Sequence, residues 1–247
     1  MTSYLKSKIL YIGAKNFDVC KKLNDVGIKE NLTKIKEQIG NNNVKIIAVT
    51  KYANQKQIYE AYKLGIRDFG ESYLQDALEK ISQKYQEEKI ENLTRWHFIG
   101  RLQKNKVKSV VEKFCLIHSV DSIELAELIN KIANQKGLVQ DILLQVNISQ
   151  EPTKAGFQIG ELKNSFGALL KLANVRVQGL MTIGPKTSER ELTRNCFSSL
   201  STLKDEVNKE YMLNLKELSM GMSNDYVIAV GCGATMVRIG KAIFKEG

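Results

Sequence analysis

Proline is nearly absent from this 247-residue chain: Pro152 and Pro185 are the only two, and no run of Gly, Ser or Pro is long enough to form an interdomain linker. With 43% hydrophobic and 26% charged residues and no shift of composition along its length, the chain has an ordinary globular make-up able to bury a large core. Residues 1–247 therefore read as one domain. Cysteine is also scarce. Cys20, Cys115, Cys196 and Cys232 lack the short paired spacings of a zinc site, and four in this length make no disulfide scaffold, which predicts reduced thiols in a cytoplasmic protein. No apolar run approaches the roughly 18 residues of a membrane-spanning helix. The basic opening stretch, MTSYLKSKILYIGAKN, has no continuous apolar segment of signal-peptide length, so no membrane association is expected.

Negative charge is in deficit, leaving a formal net charge of +10. Lysines facing phosphates release counterions and bind nucleic acid without sequence preference. Here the lysines are interleaved with Asp and Glu along the whole chain, and only GRLQKNKVK (100–108) approaches a cluster. The pattern argues against a specific nucleic-acid partner, whatever the net charge.

What the chain has is rhythm. An opening helix is predicted from the apolar positions Val26, Ile28, Leu32 and Ile35, stopped by Gly40 and the Asn run 41–43. Strand candidates then recur at VKIIAVT (44–50), IRDFGE (66–71), RWHFIG (95–100), FCLIHSV (114–120), DILLQVNI (141–148), VRVQGLMTI (175–183), LKELSMGM (215–222) and TMVRIG (235–240). Helix-like segments with apolar residues three and four apart lie between them, such as IELAELINKIANQ after the fourth strand and FGALLKLA before the sixth. Eight strands, each but the last followed by a helix, fit a single-domain α/β (β/α)8 TIM barrel with an N-terminal helical extension free to cover the position after strand eight. A doubly wound sheet is the alternative, but it usually uses fewer strands in this length.

In a parallel barrel the active site lies at the carboxyl ends of the strands. Those ends carry Thr50 and Lys51, Glu71 and Ser72, Gly100, Asn147, Gly184, Ser219 to Ser223, and Arg238 with Gly240. Lys51 is either a surface lysine that follows a strand or a Schiff-base lysine. In the second case an apolar mouth would strip its hydration and favour the neutral, nucleophilic amine. Strands seven and eight commonly build a phosphate site, to which Ser223 would bring a hydroxyl, Gly240 an open backbone N–H and Lys241 a counter-charge. The plainer alternatives are an N-cap at Ser223 and a turn at Gly240. Arg238, within MVRI, needs a buried partner, either an acid such as Glu217 or a ligand. His97 and His118 each lie in a strand and read as packed, hydrogen-bonded rings.

The blocks AVTK (48–51), GESY (70–73), HFIGRLQKNK (97–106), GLMTIGP (179–185), LSMGMSND (218–225) and TMVRIGKAIF (235–244) closely resemble the pyridoxal phosphate homeostasis proteins, the YggS/PROSC family. The resemblance runs from about Ala48 almost to the end of the chain. It implies the alanine racemase-like barrel of fold type III, with pyridoxal 5'-phosphate held as an internal aldimine on Lys51. It also places Arg238 opposite the pyridine nitrogen, and Ser223, Gly240 and Lys241 at the phosphate. The chain departs from the family pattern at Ser72, where Asn is usual and could contact the cofactor, at Lys241, where Thr is usual, and in its ending AIFKEG.

By this resemblance the protein binds the cofactor for intracellular vitamin B6 homeostasis, with pyridoxal-phosphate-dependent apoenzymes as candidate recipients, and is not an efficient catalyst. A racemase or decarboxylase of the same fold is the alternative. The racemases carry a further, mostly β domain that brings an acid/base residue to the other face of the cofactor, and this chain stops within a few residues of strand eight. An arginine at the pyridine nitrogen also leaves the ring a poor electron sink. A lysine and a phosphate cradle alone would equally suit a Schiff-base aldolase acting on a phosphosugar.

Overall fold

The computed structural model describes residues 27–82 and 93–245. Val26, Cys20, the opening stretch 1–16 and the final residues 246–247 lie outside the described residues. The first helix, α1 (Ile28–Ile39), buries Ile28, Leu32, Ile35 and Ile39 along one face, each contributing roughly 2 kcal/mol, and it stops at Gly40, whose φ of 65° suits glycine.

Eight strands follow: β1 (Lys45–Val49), β2 (Asp68–Glu71), β3 (Arg95–Phe98), β4 (Leu116–Val120), β5 (Gln140–Gln145), β6 (Val175–Met181), β7 (Glu217–Ser219) and β8 (Met236–Ile239). They pair in sequence order, all parallel, and β8 returns to β1, closing the barrel. All eight expected strands are present, each shorter than expected, although β5 starts one residue early at Gln140. The largest difference is at 215–222, where β7 keeps three residues because Gly221 takes φ 91° and turns the chain out of the sheet.

The intervening helices are α2 (Gln55–Lys63), α3 (Leu74–Ser82), α4 (Val107–Val110), α5 (Ile123–Gln135), α6 (Ile159–Leu169), α7 (Arg190–Tyr211) and α8 (Tyr226–Gly231). Capping defines several starts: Asn54 and Gln57 form a reciprocal capping box on α2, and Ser122 caps α5. The segment FGALLKLA supplies only the end of α6, which begins seven residues earlier at Ile159. A further correction concerns the last strand. It too is followed by a helix, the single-turn α9 (Lys241–Phe244), and α1 packs beside it, with Asn31 Nδ2 donating to Ile243 O at 3.0 Å.

The outward residues of the strands join the helices in one extended core. The barrel interior is different. Ile47, Leu116, Leu143, Met181 and Met236 form a small separate apolar cluster there, and Asp68, His97, His118, Ser219 and Arg238, all buried, are hydrogen-bonded in series. Among the described residues no helix is long and apolar enough to cross a membrane, and no group of three or more His, Cys, Asp or Glu could hold a metal ion.

Candidate active site at the barrel mouth

Lys51 stands two residues beyond β1, with its Nζ 4.9 Å from the ring centroids of both Tyr52 and Tyr73. The two tyrosines are 76% and 52% exposed, so the ammonium sits in a cleft open to solvent. The hydroxyl of Tyr52, then that of Tyr73, raises the Lys51 pKa above the ordinary lysine value. The expected loss of hydration is therefore not what governs this lysine: two phenol groups stabilise its charged form. Tyr52 and Tyr73 were missed from the sequence, although each directly follows a candidate, Lys51 and Ser72, at a strand end.

Beneath Lys51 lies a buried charge pair. Glu71 closes β2, and its Oε1 accepts from Thr50 Oγ1 at 2.7 Å and from Lys80 Nζ at 2.5 Å. Lys80 also donates to Thr50 O at 2.7 Å, and Ser72 N–H donates to Glu71 Oε2 at 3.1 Å. Ser72 is further fixed by Gly100 at the end of β3: a Cβ on Gly100 would fall 2.0 Å from Ser72 O. The two strand ends thus meet through bare backbone.

On the other side of β1, β8 pairs Ile239 with Ala48, and Gly240 follows. A Cβ at Gly240 would stand 3.0 Å from Val49 O and 3.2 Å from Val49 Cβ, so glycine is needed for close packing against β1, with φ at −116° placing no special demand. Ser223, in the loop after β7, accepts a hydrogen bond from Ala242 N–H at 3.2 Å. The hydroxyl therefore does not cap α8, the helix it precedes; it reaches across to the first turn of α9 and joins the β7 and β8 loops. Asp225 instead organises its own loop, accepting from Met222 N–H at 2.5 Å. Lys241 is exposed beside this junction.

Arg238 lies deeper, 5% exposed inside the barrel. Its Nη1 donates to Ser219 Oγ at 2.7 Å and its Nη2 to Thr182 O at 2.9 Å. Glu217 is not its partner: Glu217 accepts from Thr235 Oγ1 at 2.6 Å and lies 3.9 Å from Lys45 Nζ. Burial pushes the Arg238 guanidinium down to about 10, with only the more distant charge of Asp225 opposing this. Among the described residues Arg238 has no carboxylate ion pair, and two bonds leave most of its five N–H donors unused. A buried cation in this condition is suited to an acceptor atom supplied from outside the chain.

Of the six residues singled out in the sequence, Lys51, Ser72, Ser223, Gly240 and Lys241 share one arc of the rim, β7–β8–β1–β2, and Arg238 lies below it. Across the mouth, a cavity of about 210 Å³ is lined by residues that include Ile99, Arg101, Asn147, Lys154 and Ile183. Lys154 is engaged there: its Nζ donates to Glu151 Oε1 at 2.6 Å, Gly184 O at 2.8 Å and Ser149 Oγ at 3.2 Å.

Residues 26–246 match the alanine racemase N-terminal domain family. A pyridoxal phosphate homeostasis protein of Aquifex aeolicus is 43% identical over 208 residues, covering 84% of this chain and 89% of its own length. The chain belongs to the pyridoxal phosphate homeostasis protein family. Among solved structures, PipY of Synechococcus elongatus PCC7942 with PLP bound is 36% identical to this family member at a TM-score of 0.80, over 88% of this chain and 99% of that one. An alanine racemase of Clostridium difficile 630 is 18% identical at a TM-score of 0.71, over 88% of this chain and 58% of the racemase, a likeness of fold. The family likeness thus spans the barrel and every element that carries the candidate site.

Proposed function

We propose that this protein binds pyridoxal 5'-phosphate on the β7–β8–β1–β2 arc, joined to Lys51, and serves intracellular vitamin B6 homeostasis without efficient turnover. The observation that carries the reading is Arg238: a buried guanidinium with spare donors and, among the described residues, no carboxylate partner, below a rim that holds an accessible lysine. When bound, the cofactor supplies an aldehyde for a lysine amine, a pyridine nitrogen that accepts a hydrogen bond and a phosphate dianion. Lys51 provides the amine, and Arg238 an N–H for the ring nitrogen. Ser223, Gly240 and Lys241 provide a hydroxyl, a backbone without a side chain and a cation for the phosphate. Ser72, held by its backbone between Glu71 and Gly100, borders the other side.

Arg238 also supports a binding role. Even at about 10 its pKa leaves it protonated at neutral pH, so it donates a hydrogen bond without giving up the proton, and the ring stays a weak electron sink. The recipients we infer are pyridoxal-phosphate-dependent apoenzymes. Mixing the purified protein with the cofactor is expected to produce a visible absorption band, and borohydride reduction to leave a covalent adduct on the Lys51 peptide. Lys51→Ala should lose both, and an undiminished band and adduct in that variant would overturn the assignment. Fast racemisation or decarboxylation across a panel of amino acids would overturn the noncatalytic role.

A further inference from the structure

The interior hydrogen bonds run in a single line. Arg238 Nη1 donates to Ser219 Oγ (2.7 Å), Ser219 Oγ lies 2.8 Å from His118 Nδ1, His118 Nε2 lies 2.9 Å from His97 Nδ1, and His97 Nε2 lies 3.0 Å from Asp68 Oδ1. Asp68 is also gripped by Arg95, Nε to Oδ1 at 2.7 Å and Nη2 to Oδ2 at 2.6 Å. Asp68 and Arg95 are the first residues of β2 and β3, so the line enters at the amino end of the barrel and finishes at Arg238 below the mouth.

Its two ends are groups with one role each: a guanidinium only donates and a carboxylate only accepts. From the carboxylate, His97 must carry its proton on Nε2 and accept at Nδ1, His118 must then carry its proton on Nε2 and accept at Nδ1, and the Ser219 hydroxyl must donate to His118. From the arginine, the Ser219 oxygen must accept. The two deductions agree, and both imidazoles are neutral. The reversed line needs a second buried cation, at His97, and leaves the Ser219 O–H without an acceptor among the described residues. Burial, the main influence on both rings, also holds them neutral.

We propose that Ser219, His118, His97 and Asp68 are positioning residues for the cofactor site, acting as one directional hydrogen-bond chain that fixes the Arg238 guanidinium. This rests on the reading that Arg238 faces the ring nitrogen. The Ser219 oxygen becomes a better acceptor because its own proton is donated onward, and each bond in such a series strengthens its neighbours. Arg238 is thereby held by Ser219 on one side and Thr182 O on the other, with its remaining donors aimed by those two contacts.

The test has an arm without cofactor and an arm with it. In the cofactor-free protein at neutral pH, nitrogen-15 NMR of the imidazoles should find both rings neutral with the proton on Nε2; a proton on Nδ1 of His118 would overturn the directional chain, whatever the protein binds. With ring-labelled pyridoxal phosphate, Ser219→Ala and the more distant His97→Gln should both retain the Lys51 adduct. Both should move the pyridine nitrogen resonance toward that of a nitrogen without a donor, with affinity weakened about tenfold in Ser219→Ala. Gln140→Leu, a buried polar change outside the chain, should leave the resonance in place. If Arg238→Gln moves the resonance and Ser219→Ala and His97→Gln do not, the chain is overturned and the cofactor reading stands; if Arg238→Gln leaves it unmoved, the ring-nitrogen reading itself fails.

Discussion

At the scale of single residues, Lys51 and Arg238 owe their properties to different surroundings. Lys51 borders solvent between two phenols, which favour its ammonium form, so the nucleophile role proposed for it does not rest on desolvation in the free protein. Arg238, by contrast, is enclosed and has no carboxylate ion pair among the described residues. Gly221 marks where the rim loop departs from β7: its φ is 91°, and a Cβ there would lie 2.6 Å from Ala229 Cβ and 2.9 Å from Tyr226 Cα. Gly221→Ala is therefore expected to cost about 2 kcal/mol or more and to displace the Ser223 loop. Urea denaturation together with cofactor titration checks this, and an unchanged unfolding midpoint would show that the loop tolerates a side chain.

At the scale of elements, helices and strands are held in register at the mouth by polar contacts that repeat little of the sequence pattern. Lys80 projects from α3 to bridge Glu71 at the end of β2 and Thr50 just beyond β1, closing the gap beneath Lys51. Glu71 is fully buried, so removing its cation would strand a charge. Lys80→Met should destabilise the protein by about 3 kcal/mol, whereas Lys80→Met combined with Glu71→Leu should recover much of the loss, as measured by thermal unfolding. The strands themselves were legible because alternation and β-branched runs mark them directly: KIIAV and MVRI stand out without any knowledge of neighbours. Their ends were less so. LSMGM reads as apolar throughout, and only the φ of Gly221 separates the strand residues from the turn. α9 escaped notice because a single turn is too short for a periodic signal.

At the scale of the whole molecule, the barrel interior joins distant chemistry to the stability of the fold. Burial would raise the Asp68 carboxyl, but hydrogen bonds from His97 and Arg95 outweigh it and bring it from 3.8 down to about 2. In the folded state this group stays ionised to lower pH than in the unfolded chain, so its contribution, about 2 kcal/mol, is present above pH 4 and lost as pH falls toward 2. His97 and His118, facing Asp68, Arg95, Lys45 and Arg238, are both held below the ordinary 6.5. As pH drops through 6.5, the unfolded chain binds protons that the barrel refuses, and stability falls. They are the only two histidines in the chain, so the urea midpoint should decline between pH 7 and pH 5; a flat profile there would mean that the imidazoles take up protons in the fold as readily as in the unfolded chain. The sequence by itself determined the eight-strand order, the strand-end candidates and the family resemblance, because strand periodicity and local motifs are properties of neighbours along the chain. Only the tertiary structure decided that Tyr52 and Tyr73 flank Lys51, that Ser223 serves the β8 loop and not its own helix, and that Ser219, His118, His97 and Asp68 form one line. Apart from Tyr52, which adjoins Lys51, the partners in these contacts are about 20 to 100 residues apart along the chain. Their partners are chosen by barrel closure and register, and by the need of each buried polar atom for a mate, and none of those is written in any single segment.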